Sequence, residues 1–116
     1  MNVWKYLTYL FALLFFLGLL INLRVLLITQ VEGWSMYPTI KPGSWIVCVK
    51  SPVYKPGDIV VYKPRWIEGV YVVHRIIYID KAGFYYLKGD NPVTNPRLDY
   101  YPATYGDIIC KVVFHT

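Results

Sequence analysis

The distribution of apolar residues divides the chain into an N-terminal hydrophobic segment and a β-like remainder. The segment 6–23, YLTYLFALLFFLGLLINL, has eighteen residues and no charge. As a helix it would be roughly 27 Å long, which is close to the thickness of the hydrocarbon core of a bilayer. Lys5 and Arg24 flank the segment, and basic side chains at such positions can reach the lipid headgroups. The pattern therefore predicts a transmembrane helix.

The residues that follow favour short β-strands. Runs rich in β-branched and aromatic residues are separated by turn sequences that contain Gly, Pro and Asp. Strands are predicted near 44–50, 58–63, 70–79, 84–88 and 107–114. Five strands at this spacing favour a mainly β fold, in which a small antiparallel sandwich or partly open barrel follows the transmembrane helix.

The length and composition agree with one anchor and one small domain. The chain has 116 residues, 56% of them hydrophobic, and the apolar excess lies at the N-terminus. We predict a transmembrane anchor over residues 1–28 and a β-rich domain over residues 29–116. A cleaved signal peptide is the alternative to an anchor. The apolar run is longer than the usual core of a signal peptide and no small-x-small cleavage site follows it, so a retained anchor is favoured.

The charged residues argue against a nucleic-acid partner. The net charge of +5 comes from twelve Lys and Arg against seven Asp and Glu, and the basic residues are spread from Lys41 to Lys111. A nucleic-acid surface would need them in a stripe, whereas a spread of this kind indicates a solvated basic face near anionic lipid. Lys5 lies before the hydrophobic segment and Arg24 after it, so the charges leave the membrane orientation open.

The chain has two cysteines, Cys48 and Cys110, without the close spacing of a zinc site. Both lie in apolar runs, so two buried free thiols and one disulfide are both consistent with the sequence. An oxidising compartment would permit the disulfide. The sequence also lacks a Gly-rich phosphate-binding loop, and we expect neither a metal nor a cofactor.

One serine has unusual surroundings. Ser35 follows the hydrophobic segment closely, in a turn that begins at Gly33 and is closed by Pro38. Ser44 precedes a predicted strand and Ser51 belongs to a Ser-Pro turn, and neither context suggests reactivity. The position of Ser35 suggests a nucleophile held at the membrane surface.

A serine nucleophile needs a base to take its proton, and the chain has two histidines. His115 is the penultimate residue and is expected to fray. His74 lies in the predicted strand 70–79, where alternation places it on the same face as Val72 and Ile76 and shields its ring. An isolated histidine in a strand is more often structural. Beside a candidate nucleophile His74 becomes the candidate base, because imidazole titrates in the useful range.

Two carboxylates are candidates for the acid that orients such a base. Asp90 follows a glycine and precedes Asn-Pro, a pattern typical of a turn-forming carboxylate. Asp99 precedes Tyr-Tyr-Pro, which is also consistent with an exposed loop acid. Asp58 and Asp107 each follow a glycine at the start of a predicted strand and look structural. The residues alone leave the choice between Asp90 and Asp99 open.

Four blocks in order resemble type I signal peptidases, the membrane-bound serine endopeptidases that remove signal peptides from exported proteins. They are GWSMYPT at 33–39, KPGDIV at 55–60, VHRI at 73–76 and KGDN at 88–91. The resemblance extends from the anchor to Lys111. Bacterial members have lysine at the position of His74, whereas the endoplasmic reticulum and archaeal members have histidine. The chain is therefore similar to the second type, the Ser-His-Asp enzymes of peptidase family S26.

The resemblance implies a role for each candidate residue. Ser35 would be the nucleophile, His74 the general base, and the acid would follow the Gly-Asp-Asn block. The family usually places a second aspartate soon after that block, but positions 95 and 96 are Asn and Pro and the next acid is Asp99. A short insertion would make Asp99 the acid that orients His74 and would leave Asp90 to hold the loop.

The residue before Trp34 departs from part of the family. Some members contribute a hydroxyl to the oxyanion hole from two residues before the nucleophile, and this chain has Gly33 there. Backbone amides, including that of Ser35, would then form the oxyanion hole.

These observations predict a single-pass membrane serine endopeptidase that cleaves signal peptides from exported preproteins after small residues. Its catalytic domain would lie on the extracytoplasmic or lumenal side, with preproteins and the lipid bilayer as partners and accessory subunits left open. The substrate would bind extended, as an added strand on an exposed sheet edge. One alternative is an inactive membrane-anchored β module that binds extended peptides. Another is a Ser–Lys peptidase that uses Lys88, which is disfavoured because Lys88 adjoins the Gly-Asp turn instead of occupying the position of His74.

Overall fold

The computed structural model describes residues 2–22 and 25–116. Within these residues an N-terminal helix precedes six β-strands and one short 3-10 helix. The elements are α1 (Val3–Asn22), β1 (Leu26–Gln30), β2 (Trp45–Val49), β3 (Ile59–Tyr62), β4 (Val72–Ile79), β5 (Tyr85–Lys88), the 3-10 helix Tyr105–Asp107 and β6 (Ile108–His115). The predicted mainly β fold with one apolar N-terminal helix is confirmed.

Helix α1 projects from the domain instead of packing against it. It has 20 residues, is long and apolar enough by length and composition to cross a membrane, and has no buried residue. A soluble surface helix normally turns one apolar stripe toward a core. Helix α1 buries no residue in the protein, and its length and composition would allow it to cross a membrane.

The six strands form one antiparallel sheet in the order β1-β2-β6-β3-β4-β5, and the sheet does not close on itself. Each of the five predicted strands corresponds to one of these elements. Strand β1 was not predicted, because its sequence LLITQ continues the apolar run of the N-terminus and carries no turn signal before it. Residues 26–28, assigned to the anchor from the sequence, lie in β1, where Leu26 pairs with Val49.

The two faces of the sheet each cover a hydrophobic cluster, as the alternation along β3 requires. The first core includes Val60 and Tyr62, and the second core includes Val61. The other buried members of the first core are Tyr54, Ile76, Tyr85, Leu87, Ala103 and Ile108; those of the second are Val31, Met36, Ile40, Ile46, Cys48 and Cys110. The segment 33–39, which contains Ser35, is called the serine turn below. Met36, the residue after Ser35, therefore anchors the serine turn in the second core.

Cys48 and Cys110 form a disulfide between the adjacent strands β2 and β6, with their Cα atoms 5.4 Å apart. The sequence left free thiols and a disulfide open, and the structure contains the disulfide. Both residues are buried in the second core. A bridge of this kind stabilises a small domain by about 2–5 kcal/mol, largely because it restricts the unfolded chain.

Candidate active site

His74 and Asp99 form a nearly buried pair at the edge of the first core. His74 lies on β4 opposite Val60, and its Nδ1 is 2.5 Å from Oδ2 of Asp99. The two side chains are 8% and 6% exposed. An ionised carboxylate only accepts hydrogen bonds, so opposite such a carboxylate Nδ1 carries the hydrogen and, in a neutral imidazole, Nε2 has the free lone pair. The ring is thus oriented to accept a proton at Nε2.

Asp99 belongs to the loop that joins β5 to the 3-10 helix, and three contacts fix it. Its backbone N–H donates to the carbonyl of Leu87 on β5 at 2.8 Å. Its Oδ2 accepts the Nδ1–H of His74 and also the hydroxyl of Tyr62 at the end of β3. The carboxylate is therefore held by β3, β4 and β5 although it lies on a loop.

Asp90 makes a separate ion pair and does not contact His74. Its Oδ1 accepts from Nε of Arg75 at 2.9 Å, and its Oδ2 accepts from Nη2 of Arg75 at 2.8 Å and from the Thr39 hydroxyl at 2.7 Å. Nη1 of the same arginine donates to the Gly57 carbonyl at 2.8 Å. Asp90 and Arg75 together therefore tie Thr39, the turn before β3 and strand β4 to one another. The bidentate Arg75 and the Thr39 hydroxyl lower the pKa of the Asp90 carboxyl.

The lowered pKa of Asp90 makes the folded state sensitive to acid. A carboxyl with a folded pKa below its usual 3.8 adds stability above that value, and the added stability is lost as the pH falls through the folded pKa. We expect Asp90→Asn to lower the melting temperature at pH 7 and to flatten its decline between about pH 5 and pH 2. Thermal melts across that range measure both effects. The exposed Glu68→Gln is the matched control, and a decline in Asp90→Asn as steep as in wild type would contradict the prediction.

The loop after β5 clamps the backbone of the serine turn. The N–H of Asn91 donates to the Ser35 carbonyl at 2.9 Å, and the Asn91 side-chain amide donates to the Trp34 carbonyl at 2.9 Å. Gly89 packs directly on the same turn, since a Cβ at this position would lie 2.5 Å from the Ser35 carbonyl oxygen. Only glycine fits here. Lys88, the residue before Gly89, pairs with Arg75, the residue after His74, so this clamp ties the turn of Ser35 to the end of β5 that pairs with β4.

The reactive atoms of Ser35 and His74 are both accessible. Neither the Ser35 hydroxyl nor Nε2 of His74 makes a hydrogen bond within residues 2–22 and 25–116, and no buried side-chain nitrogen or oxygen there lacks a partner. Both atoms therefore reach the surface. In substrate-free enzymes the hydrogen bond between nucleophile and base is often long and tightens when substrate binds.

A groove of about 910 Å³ opens in front of Ser35. It is lined by β1, by the beginning of β4, and by Ile21 near the end of α1. Two backbone edges in this lining are unpaired: β1 is the outer strand of the sheet, and β5 covers β4 only from Arg75 onward. Unpaired strand edges are the usual docking sites of extended peptides.

Comparison with known proteins identifies the family. A family model described as Peptidase S24-like matches residues 17–113. The chain belongs to this family. The Peptidase S24-like family shares a superfamily with the signal peptidases, so membership gives the protein a serine peptidase type of fold and a hydrolase kind of activity. No individual curated protein matches the chain.

The Peptidase S24-like match covers Ser35, His74, Asp90 and Asp99. His74 and Asp99 are in contact, and the turn of Ser35 is bonded to Asn91 in the loop between β5 and Asp99. Gly33 has a φ of +83°, a left-handed conformation that favours glycine. The Ser35 N–H makes no backbone hydrogen bond to the described residues.

The remaining candidates lie elsewhere. Lys88 donates through Nζ to the Gly89 carbonyl at 3.1 Å and makes no contact with the Ser35 hydroxyl. His115 was expected to fray but is the last residue of β6, where it pairs with Ile46 and is exposed. Within the described parts of the chain, no three His, Cys, Asp or Glu side chains gather where a metal could bind.

Sequence reasoning missed one residue of this Peptidase S24-like site. Tyr62, whose hydroxyl contacts Asp99, lies in the apolar run IVVY and reads as an ordinary core aromatic. No local signal marks it, because its partner is 37 residues away in the chain.

Proposed function

We propose that the protein is a membrane-anchored signal peptidase of the endoplasmic reticulum and archaeal type, which cleaves preproteins after small residues. The observation that carries the proposal is the buried His74–Asp99 pair, since His74 directly follows Val73, which lines the groove that contains Ser35. The family match supports the serine peptidase chemistry, and the four sequence blocks support the signal-peptide substrate.

The arrangement suits acyl transfer to a serine. The Ser35 hydroxyl oxygen would attack the scissile carbonyl while Nε2 of His74 takes its proton, and Asp99 would stabilise the imidazolium that forms. The Ser35 N–H would donate to the oxyanion of the tetrahedral intermediate. The imidazolium then protonates the leaving amine, and a water activated by the same nitrogen hydrolyses the acyl-enzyme to regenerate Ser35. No step requires a metal or an organic cofactor.

The groove suggests how a membrane-inserted substrate would reach Ser35. Ile21 of α1 lines the groove together with β1 and β4, so the apolar helix and the groove are continuous. A signal peptide lying in the bilayer beside α1 would extend into the groove at its cleavage site. There it would add a strand to the unpaired edge of β1 or of β4.

The disulfide supports placement of the domain outside the cytoplasm. Disulfides form and persist in oxidising compartments, and the Cys48–Cys110 bridge is buried in the second core. With α1 as a single anchor, the β domain would lie on the extracytoplasmic or lumenal face. Its partners would be preproteins and the bilayer.

Cleavage of a preprotein tests the proposal directly. Purified full-length protein in detergent is mixed with a preprotein that carries a small-x-small site, and mass spectrometry locates any cut. We expect one cut after the second small residue and none in a preprotein whose two small residues are replaced by leucine. A protein that binds the preprotein but leaves it intact across detergents, lipids and pH would instead be a catalytically inactive peptide-binding module.

A further inference from the structure

Oxygen Oδ2 of Asp99 accepts two hydrogen bonds from groups that are both buried. One comes from Nδ1 of His74 at 2.5 Å and the other from the Tyr62 hydroxyl. Tyr62 is 1% exposed, and its ring centroid lies 6.3 Å from that of His74. The tyrosine therefore touches the same carboxylate oxygen as the histidine but approaches it from β3.

The Tyr62 hydroxyl is a permanent donor in this position. Burial and the adjacent Asp99 carboxylate both raise the pKa of the phenol. It stays protonated over the working range of a peptidase, so it can only donate to the ionised Asp99. A buried carboxylate is costly unless several donors surround it, and Tyr62 supplies one of the two side-chain donors seen on Asp99.

The tyrosine is held more firmly than the aspartate. Tyr62 ends β3, pairs with Val72 on β4 and packs in the first core, so the sheet fixes its ring. Asp99 lies on a loop whose neighbours Leu98 and Tyr100 are 40% and 78% exposed. The Tyr62 hydroxyl thus connects the loop carboxylate to the rigid strand pair that also carries His74.

We propose that Tyr62 is a positioning residue for the catalytic pair, which fixes Asp99 so that the carboxylate holds His74 in the orientation needed to accept the Ser35 proton. This role rests on the proposed peptidase function. Tyr62 does not touch the groove that contains Ser35, so its effect falls on the chemical step and not on substrate binding.

The variant Tyr62→Phe removes the hydroxyl and keeps the ring in the first core. We expect kcat for preprotein cleavage to fall roughly 10- to 100-fold, the range for partners that orient a reacting site, with KM unchanged. Tyr54→Phe is the matched control, because Tyr54 is also buried in the first core and its hydroxyl accepts from the Ser51 N–H at 3.2 Å. The control should keep the wild-type kcat, and a similar loss of kcat in both variants would overturn the proposal.

A second measurement separates this proposal from the proposed function. In Ser35→Ala protein, which needs no activity, the Nδ1–H proton resonance of His74 reports its hydrogen bond to Asp99. Adding Tyr62→Phe should move this resonance, whereas adding Tyr54→Phe should leave it in place. If wild type cleaves no preprotein, the proposed function fails while this resonance still tests the link through Asp99. An unmoved resonance, or a wild-type kcat in Tyr62→Phe, would reduce Tyr62 to a packing residue.

Discussion

The variant Ser35→Ala is expected to lose preprotein cleavage while it still folds and enters membranes. The change removes only the attacking oxygen, and that oxygen makes no hydrogen bond to other described residues whose loss would destabilise the turn. The backbone contacts that hold the turn, from Asn91 to the Ser35 and Trp34 carbonyls, remain. Loss of the nucleophile in a serine peptidase costs on the order of 10⁶ in kcat.

A steady-state assay on a preprotein, together with the melting temperature, measures this effect. Ser44→Ala is a suitable control, since Ser44 precedes β2 and its side chain makes no hydrogen bond within the described residues. We expect Ser44→Ala to cleave at the wild-type rate. Substantial cleavage by rigorously purified Ser35→Ala protein would show that Ser35 is not the nucleophile.

The variant Asp99→Asn is expected to lose most of its kcat while the fold stays intact. Its amide would keep the shape of the side chain but would no longer hold His74 in the tautomer with a free Nε2. Losing the carboxylate of such a triad costs on the order of 10⁴ in kcat with the fold intact. The contact of 2.5 Å between Asp99 and His74 is the structural basis of this expectation.

The variant Asp90→Asn should behave differently, because Asp90 pairs with Arg75 and Thr39 instead of His74. The charged acceptor of these donors is lost, so the free energy of unfolding should fall by about 1–3 kcal/mol. The cleavage rate should decrease in proportion to the folded fraction. Loss of the Thr39 contact should lower the rate further to the extent that it displaces the serine turn.

Cleavage rate and melting temperature of both variants, measured in one detergent, distinguish the two carboxylates. If Asp99→Asn cleaves normally while Asp90→Asn is folded and inactive, the roles are reversed.

The disulfide, the Asp90 ion pair and the Gly89 contact all act on the turn that contains Ser35. The bridge lies in the second core with Met36, the ion pair reaches Thr39, and Gly89 packs on the Ser35 carbonyl. Elements distant in the chain thus hold this segment at Ser35, Met36 and Thr39. In the proposed mechanism such contacts would preorganise Ser35 and reduce the entropic cost of reaching the reactive geometry.

Local pattern determined most of the secondary structure. The apolar segment without charges fixes helix α1, and alternation with turn residues fixes the five strands β2 to β6. Strand β1 was not predicted, because LLITQ continues the apolar run of the helix and no change in hydrophobic periodicity separates the two elements. Its strand conformation depends on pairing with β2, which local sequence does not encode.

The choice of reactive residues also came from sequence, because few serines and histidines compete for the roles. Ser35 and His74 were identified from their immediate neighbours and from the four blocks. The order of the carboxylates along the chain could not decide between Asp90 and Asp99, since both lie in loops whose paths are set by contacts with β3, β4 and β5.

Tertiary structure decided the contacts between residues that are far apart in the chain. It brought Asp99 into contact with both His74 and Tyr62, joined Cys48 to Cys110, and paired Asp90 with Arg75. The hydrogen bonds and the bridge act over a few ångströms between residues separated by 15 to 62 positions, so no window of sequence contains both partners. The sequence by itself therefore determined the helix and five of six strands and selected Ser35 and His74 as the candidate nucleophile and base, whereas the partners of His74 follow only from the folded sheet.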